Sequence, residues 1–179
     1  GSIFPISSKV RISKSYMEGK LNSNGDEITN SNHINSIQNY LKRSIGNALG
    51  IGHYWYLPTS PISYDVLNNK YYSGSNGVNK YIQLYSTHPK FNNRLFGLPI
   101  EDYNENSIFM EEGNNQPFSN EITLNGFTHP GLDKEVMTKW IDFNTIIPVS
   151  IVSLGLLEDI GYDVCYNNVD EYNPGDIFA

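Results

Sequence analysis

Arg43 and Asn47 stand four residues apart in a run that reads as a helix, so they lie one turn above the other, with Ser44 beside them. Side chains paired at that spacing hold a metal when both are imidazoles, and a neighbouring carboxylate then activates the metal-bound water. The three residues here do not suit that chemistry. A guanidinium is permanently charged and has no lone pair to offer a cation. The amide oxygen of an asparagine is a poor zinc ligand beside imidazole, and a serine hydroxyl is no carboxylate-like base near neutral pH. Imidazoles stand elsewhere, at His53, six residues past Asn47, and at His129, eight residues before Met137. No Ser-His-Asp spacing makes Ser44 a nucleophile. Cys165 is the single cysteine, which excludes an intrachain disulfide and a cysteine-based metal cluster. The oxygen-rich stretch Asn22 to Asp26 has the look of a calcium loop, but no bidentate Glu follows at the required distance.

The element that positions Arg43, Ser44 and Asn47 is the clearest in the chain. Ser31 or Asn32 can cap it, and Ile34, Ile37, Leu41, Ile45 and Ala48 recur at three- and four-residue steps as one apolar stripe. Gly50 and Gly52 can end it in a left-handed cap. Arg43 and Asn47 point away from the stripe, so the pattern predicts that they face a cleft or solvent. Before this helix, Val10 and Ile12 alternate with charged neighbours, which predicts a half-buried strand over Lys9 to Ser13. Gly52 to Ser73 reads as an aromatic loop. A short helix is expected over Asn76 to Tyr85, and a long irregular region over Thr87 to Leu124. The last helix is expected over Val149 to Ile160, with Pro148 near its first turn, Gly161 as its stop, and apolar residues nearly all round. Glu111-Glu112 reads as a solvated surface pair.

Arg43-Ser44-Ile45-Gly46-Asn47-Ala48-Leu49-Gly50-Ile51-Gly52 has the frame of the H-E-I-G-H-A-L-G-I-G helix of zinc peptidases. Four further segments follow in order. Tyr71 to Tyr81 resembles a Y-x-G-x-N-A-x-x-A-Y stretch, and Leu98-Pro99-Ile100-Glu101 a V-P-V-E strand. Thr128-His129 with Glu135-Val136-Met137-Thr138 is similar to S-H-W…E-L-M-T-G, and Pro148 to Val164 to P-L-S-x-x-T-x-x-x-L-x-D-L-G-Y-x-V. Together these resemble the leishmanolysin-like metzincin metallopeptidases, over about Val10 to Tyr172. The resemblance implies an α+β fold: a small twisted sheet, an active-site-type helix and a mostly irregular and helical C-terminal subdomain. It implies one domain over 1–179, with the sheet and former zinc-site helix in 1–52, the subdomain in 53–179, and some N-terminal strands lacking. It also implies that His129 matches the third zinc ligand and Met137 the methionine of the turn beneath the metal. Arg43, Ser44 and Asn47 match the first ligand, the base and the second ligand, and all three depart from the pattern.

No catalytic residue of that set is intact, and no cofactor is expected. Asn47-x-x-Gly50-x-x-His53 also fits the compact metzincin spacing, so His53 is a second candidate for the third ligand. His53 and His129 sit on differently spaced frames, and zinc sites use three protein ligands. The bland readings are a hydrogen-bonded loop residue for His53 and a core residue for Met137. Arg43 reads equally as a solvated cation near a carboxylate or as the occupant of a vacated metal cavity.

Composition bounds the function. A net charge of −7 argues against a nucleic-acid surface, which needs clustered Lys and Arg. No apolar run approaches the roughly 20 residues that span a bilayer, and Gly1 to Pro5 lacks the pattern of a signal peptide. Three functions remain: an inactive scaffold for assembly or adhesion, an active zinc endopeptidase with substituted ligands, and a non-cleaving peptide-binding regulator. The first is favoured. Its expected partners are other proteins or further copies of itself completing a sheet edge. Glycan contact would suit the aromatic, Asn-rich loops, and a virion or cell surface would suit the role.

Overall fold

The computed structural model describes residues 7, 9–11, 31–56, 61–65, 70–86, 97–104, 107–110, 121–124, 127–139 and 145–172. Helix α1 spans Ser31–Leu49, as its periodicity predicts. It stops because Gly50 turns left-handed at φ 117°, with its N–H donating to the Gly46 carbonyl at 3.1 Å. A Cβ at Gly50 would come 2.0 Å from the Tyr54 ring, so glycine is required there for space as well as for φ. The chain continues into a short 3-10 turn, Tyr54–Tyr56, whose Trp55 is buried against Tyr72 with ring centroids 5.0 Å apart.

Four strands then form an antiparallel sheet in the order β1-β2-β3-β4: β1 Ile62–Tyr64, β2 Lys70–Tyr72, β3 Leu98–Asn104 and β4 Ser107–Met110. A separate antiparallel pair joins β5, Glu121–Leu124, to β6, Phe127–Pro130. Helix α2, Ser75–Tyr85, lies between β2 and β3 in sequence, and α3, Ile151–Ile160, near the end of the described chain. Ser150 caps α3 by accepting from the Val152 N–H, and Gly161 closes it in the left-handed region.

α2 and α3 pack closely because Gly155 brings the α3 backbone onto α2: a Cβ there would lie 2.8 Å from the Asn76 carbonyl oxygen. A carboxylate from α3 also caps α2. Asp159 Oδ1 accepts from the Asn76 N–H and Oδ2 from the Gly77 N–H, both at 2.8 Å, while the Tyr72 hydroxyl donates to Oδ2 at 3.0 Å. A negative group at a helix N-terminus meets both the free amides and the positive end of the dipole. The core gathers Tyr72, Tyr81, Tyr85, Leu98, Met110 and Leu156. Its phenols are buried with their hydroxyls satisfied, Tyr81 donating to the Pro130 carbonyl and Tyr85 to that of Gly131.

Several expectations need correction. Residues 9–11 form no strand and Val10 is exposed, since the residues around it supply no pairing partner among those described; Ile12 and Ser13 lie outside the described residues. Every described strand follows α1 instead of preceding it. The stretch expected to be irregular from Thr87 to Leu124 contains β3, β4 and β5, and the aromatic loop over 52–73 contains β1 and β2. Short strands flanked by Asn and Gly give weak alternation, so pairing partners decide them more than local pattern does. The short helix and the last helix occur where the sequence pattern placed them, although α3 begins at Ile151, and Leu98–Glu101 is the strand that the resemblance alone implied. The mixed α+β class holds. The calcium-like stretch at 22–26 and Glu111-Glu112 lie outside the described residues.

Candidate functional site

The face that α1 turns inward is polar. Ser36, Asn39, Gly46 and Gly50 are buried along it, and Arg43 lies half-buried between them. By contrast the apolar stripe is turned out: Ile34 is 49% and Ile45 52% exposed, with Ile37, Leu41 and Ala48 half-buried. This reverses the expected burial. At about 100° per residue, the stripe and the buried face lie on opposite sides of the helix.

What draws the polar side in is a set of backbone groups on residues 136–139 and 145–147. Asn39 uses both ends of its amide: Nδ2 donates to the Thr145 carbonyl at 2.8 Å, and Oδ1 accepts from the Ile147 N–H at 2.9 Å. Lys42 donates to the Ile147 carbonyl at 3.1 Å and to Asp170 Oδ2 at 2.7 Å. Arg43 spreads its guanidinium over three carbonyls. Nε donates to Val136 at 3.0 Å, Nη1 to Lys139 at 2.9 Å, and Nη2 to Thr138. A fixed fork of five N–H donors suits this work better than an ammonium would. Of the two readings of Arg43, the solvated cation is not what the structure holds: the guanidinium donates to carbonyls and braces the helix to the turn that carries Met137.

That turn is held from below as well. The Glu135 carboxylate is fully buried. Oε1 accepts from the Ser150 N–H at 2.9 Å, from the Ser150 hydroxyl at 3.1 Å and from the Ser153 hydroxyl at 2.6 Å, while Oε2 accepts from the Met137 N–H at 2.5 Å. Burial pushes this carboxyl above its ordinary range, although the four donors pull it down. The Met110 N–H donates to the Met137 carbonyl at 3.2 Å, which ties the turn to the end of β4. Met137 itself is 2% exposed, directly under Gly46.

The remaining sequence candidates do not converge on this place. Asn47 and His53 are exposed, Ser44 is half-buried, and the His53 ring meets Tyr54 edge-on at 6.3 Å between centroids. His129 lies in β6, opposite Ile122 of β5. Among the described residues no three His, Cys, Asp or Glu side chains gather as a metal-binding group. Zinc does not fit the α1 positions on chemical grounds, because the Arg43 position holds a cation whose N–H groups are already committed to carbonyls.

Sequence reasoning passed over Asn39, Glu135 and Asp159 as functional positions. Glu135 carried a weak signal: it directly precedes the apolar pair Val136-Met137, and buried carboxylates need dedicated partners. No protein family, curated protein or solved structure matches the chain.

Proposed function

We propose that the chain is a catalytically inactive, metzincin-like domain that serves as a structural, assembly or adhesion module on a virion or cell surface. The observation that carries this reading is Arg43. Where the resemblance would call for the first zinc ligand, a guanidinium spans from α1 to the carbonyls of Val136, Thr138 and Lys139. A position used for hydrolysis has become a position used for bracing, and Ser44 and Asn47 supply neither base nor imidazole in compensation. Other proteins, further copies of the chain, or a glycan are the partners that suit such a module. No described helix is long and apolar enough to cross a membrane.

The test is metal analysis of the purified chain together with cleavage assays on unfolded protein and peptides, with and without chelator. The expected result is substoichiometric zinc and no chelator-sensitive cleavage. One zinc per chain with proteolysis abolished by chelator would establish the rival, a zinc endopeptidase with substituted ligands. Retention of extended peptides by a metal-free monomer would favour a non-cleaving regulator instead.

A further inference from the structure

We propose that α1 is a self-association surface, on which a second copy of the chain packs its own α1 antiparallel about a two-fold axis at Leu41. This deepens the assembly reading and rests on it, but uses a helix face and not a sheet edge.

The first support is where the apolar residues lie. Ile34 and Ile45 are exposed and Ile37, Leu41 and Ala48 half-buried, in a stripe opposite the face that binds residues 136–139 and 145–147. Contiguous apolar surface left facing outward is what a protein partner covers. Nearby exposed positions, Gln38 and Tyr40, add amide and phenol groups of the sort found at an interface rim.

The second support bears on which partner. Lys42 and Arg43 are the only Lys, Arg, Asp or Glu residues of α1, and both reach inward to carbonyls or to Asp170. The outward stripe therefore carries no charge to repel a copy of itself or to select an oppositely charged stranger. Its spacing is also its own mirror. The steps between Ile34, Ile37, Leu41, Ile45 and Ala48 are three, four, four and three, which read the same in both directions. An antiparallel copy sets Leu41 on Leu41, Ile37 on Ile45 and the small Ala48 on Ile34. Self-complementarity of this kind defines a two-fold contact.

One helix face is a small interface, so the contact should be weak, with a dissociation constant of roughly 10–100 μM. Each copy carries a net charge of −7, so screening that repulsion with salt should strengthen association.

Sedimentation of the intact chain over a concentration series, at low and high salt, reads the affinity. Ile45→Asp is expected to weaken association about tenfold or more, and circular dichroism of the variant checks that it is folded. Geometry is read by oxidative cross-linking in a Cys165→Ser background. Leu41→Cys should form a disulfide-linked dimer rapidly, Ile34→Cys alone should not, and a mixture of Ile34→Cys with Ala48→Cys should cross-link as a heterodimer. A monomer at every concentration and salt, or equal cross-linking of Leu41→Cys and Ile34→Cys alone, overturns the proposal. A strictly monomeric but zinc-free, inactive chain removes only this contact, whereas zinc-dependent proteolysis removes the assembly reading beneath it.

Discussion

Gly46 of α1 lies so close over Met137 that a Cβ there would come 2.5 Å from the methionine sulfur and 3.0 Å from its terminal methyl. Helix and turn meet through that absence of a side chain. Gly46→Ala gains about 1 kcal/mol of helix propensity, but forces a buried Met137 to move, which costs about 1–3 kcal/mol. Gly46→Val, which adds bulk and lacks the full propensity gain, should therefore be destabilising by chemical denaturation. In a Met137→Ala background the same substitution should cost much less. Equal costs in both backgrounds would mean that the two residues do not press on one another.

Arg43 should be the most sensitive position of α1. Arg43→Ala leaves the carbonyls of Val136, Thr138 and Lys139 without their guanidinium donors, at an expected cost of about 2–3 kcal/mol. Arg43→Lys keeps the charge but not the fork, so its cost should lie between those of wild type and Arg43→Ala. Thermal melts of the three proteins give the order. Restoration of the Ala variant by added guanidinium would be a further sign that the carbonyl cradle persists.

Glu135 and Asp170 should pull stability in opposite directions with pH. Burial raises the Glu135 carboxyl above its ordinary 4.5, so folding disfavours its ionised form. Its contribution is fully present below the unfolded value and is lost as pH rises through the folded one. The denaturation midpoint of wild type should accordingly fall, relative to that of Glu135→Gln, as pH rises past the ordinary carboxyl value and through the raised folded one. For Asp170, burial pushes the carboxyl up, but the Lys42 hydrogen bond, the Val149 N–H and the Lys42 charge outweigh it and hold the group below its ordinary 3.8. Its contribution is present above the unfolded value and is lost as pH falls through the folded one. The advantage of wild type over Asp170→Asn should thus shrink in acid.

Asp159 caps α2 from another helix, so its removal should loosen two elements at once. Asp159→Ala takes the acceptors from the Asn76 and Gly77 N–H groups and from the Tyr72 hydroxyl. A cost of about 1–2 kcal/mol is expected for the cap, with more from the stranded phenol of a buried Tyr72. Hydrogen exchange should locate the loss at the first turn of α2. Uniform loss of protection across the fold would mean that the carboxylate serves global packing and not the cap.

What the sequence could determine by itself was local. Ile34 to Ala48 at helical steps and Gly50 and Gly161 as helix stops depend on neighbours within a turn or two. Those elements stand where they were expected. The inward face of α1 was not local information. Hydrophobic periodicity assigned the interior to the isoleucines, but the partners of Asn39 and Arg43 are backbone groups 93 to 108 positions further along the chain. Only the tertiary fold brings those carbonyls and amides to the helix. Once they are there, leaving them unpaired would cost more than leaving a few apolar side chains exposed. The fork of Arg43 and the amide of Asn39 therefore turned inward, and the stripe of Ile34 and Ile45 was left facing out.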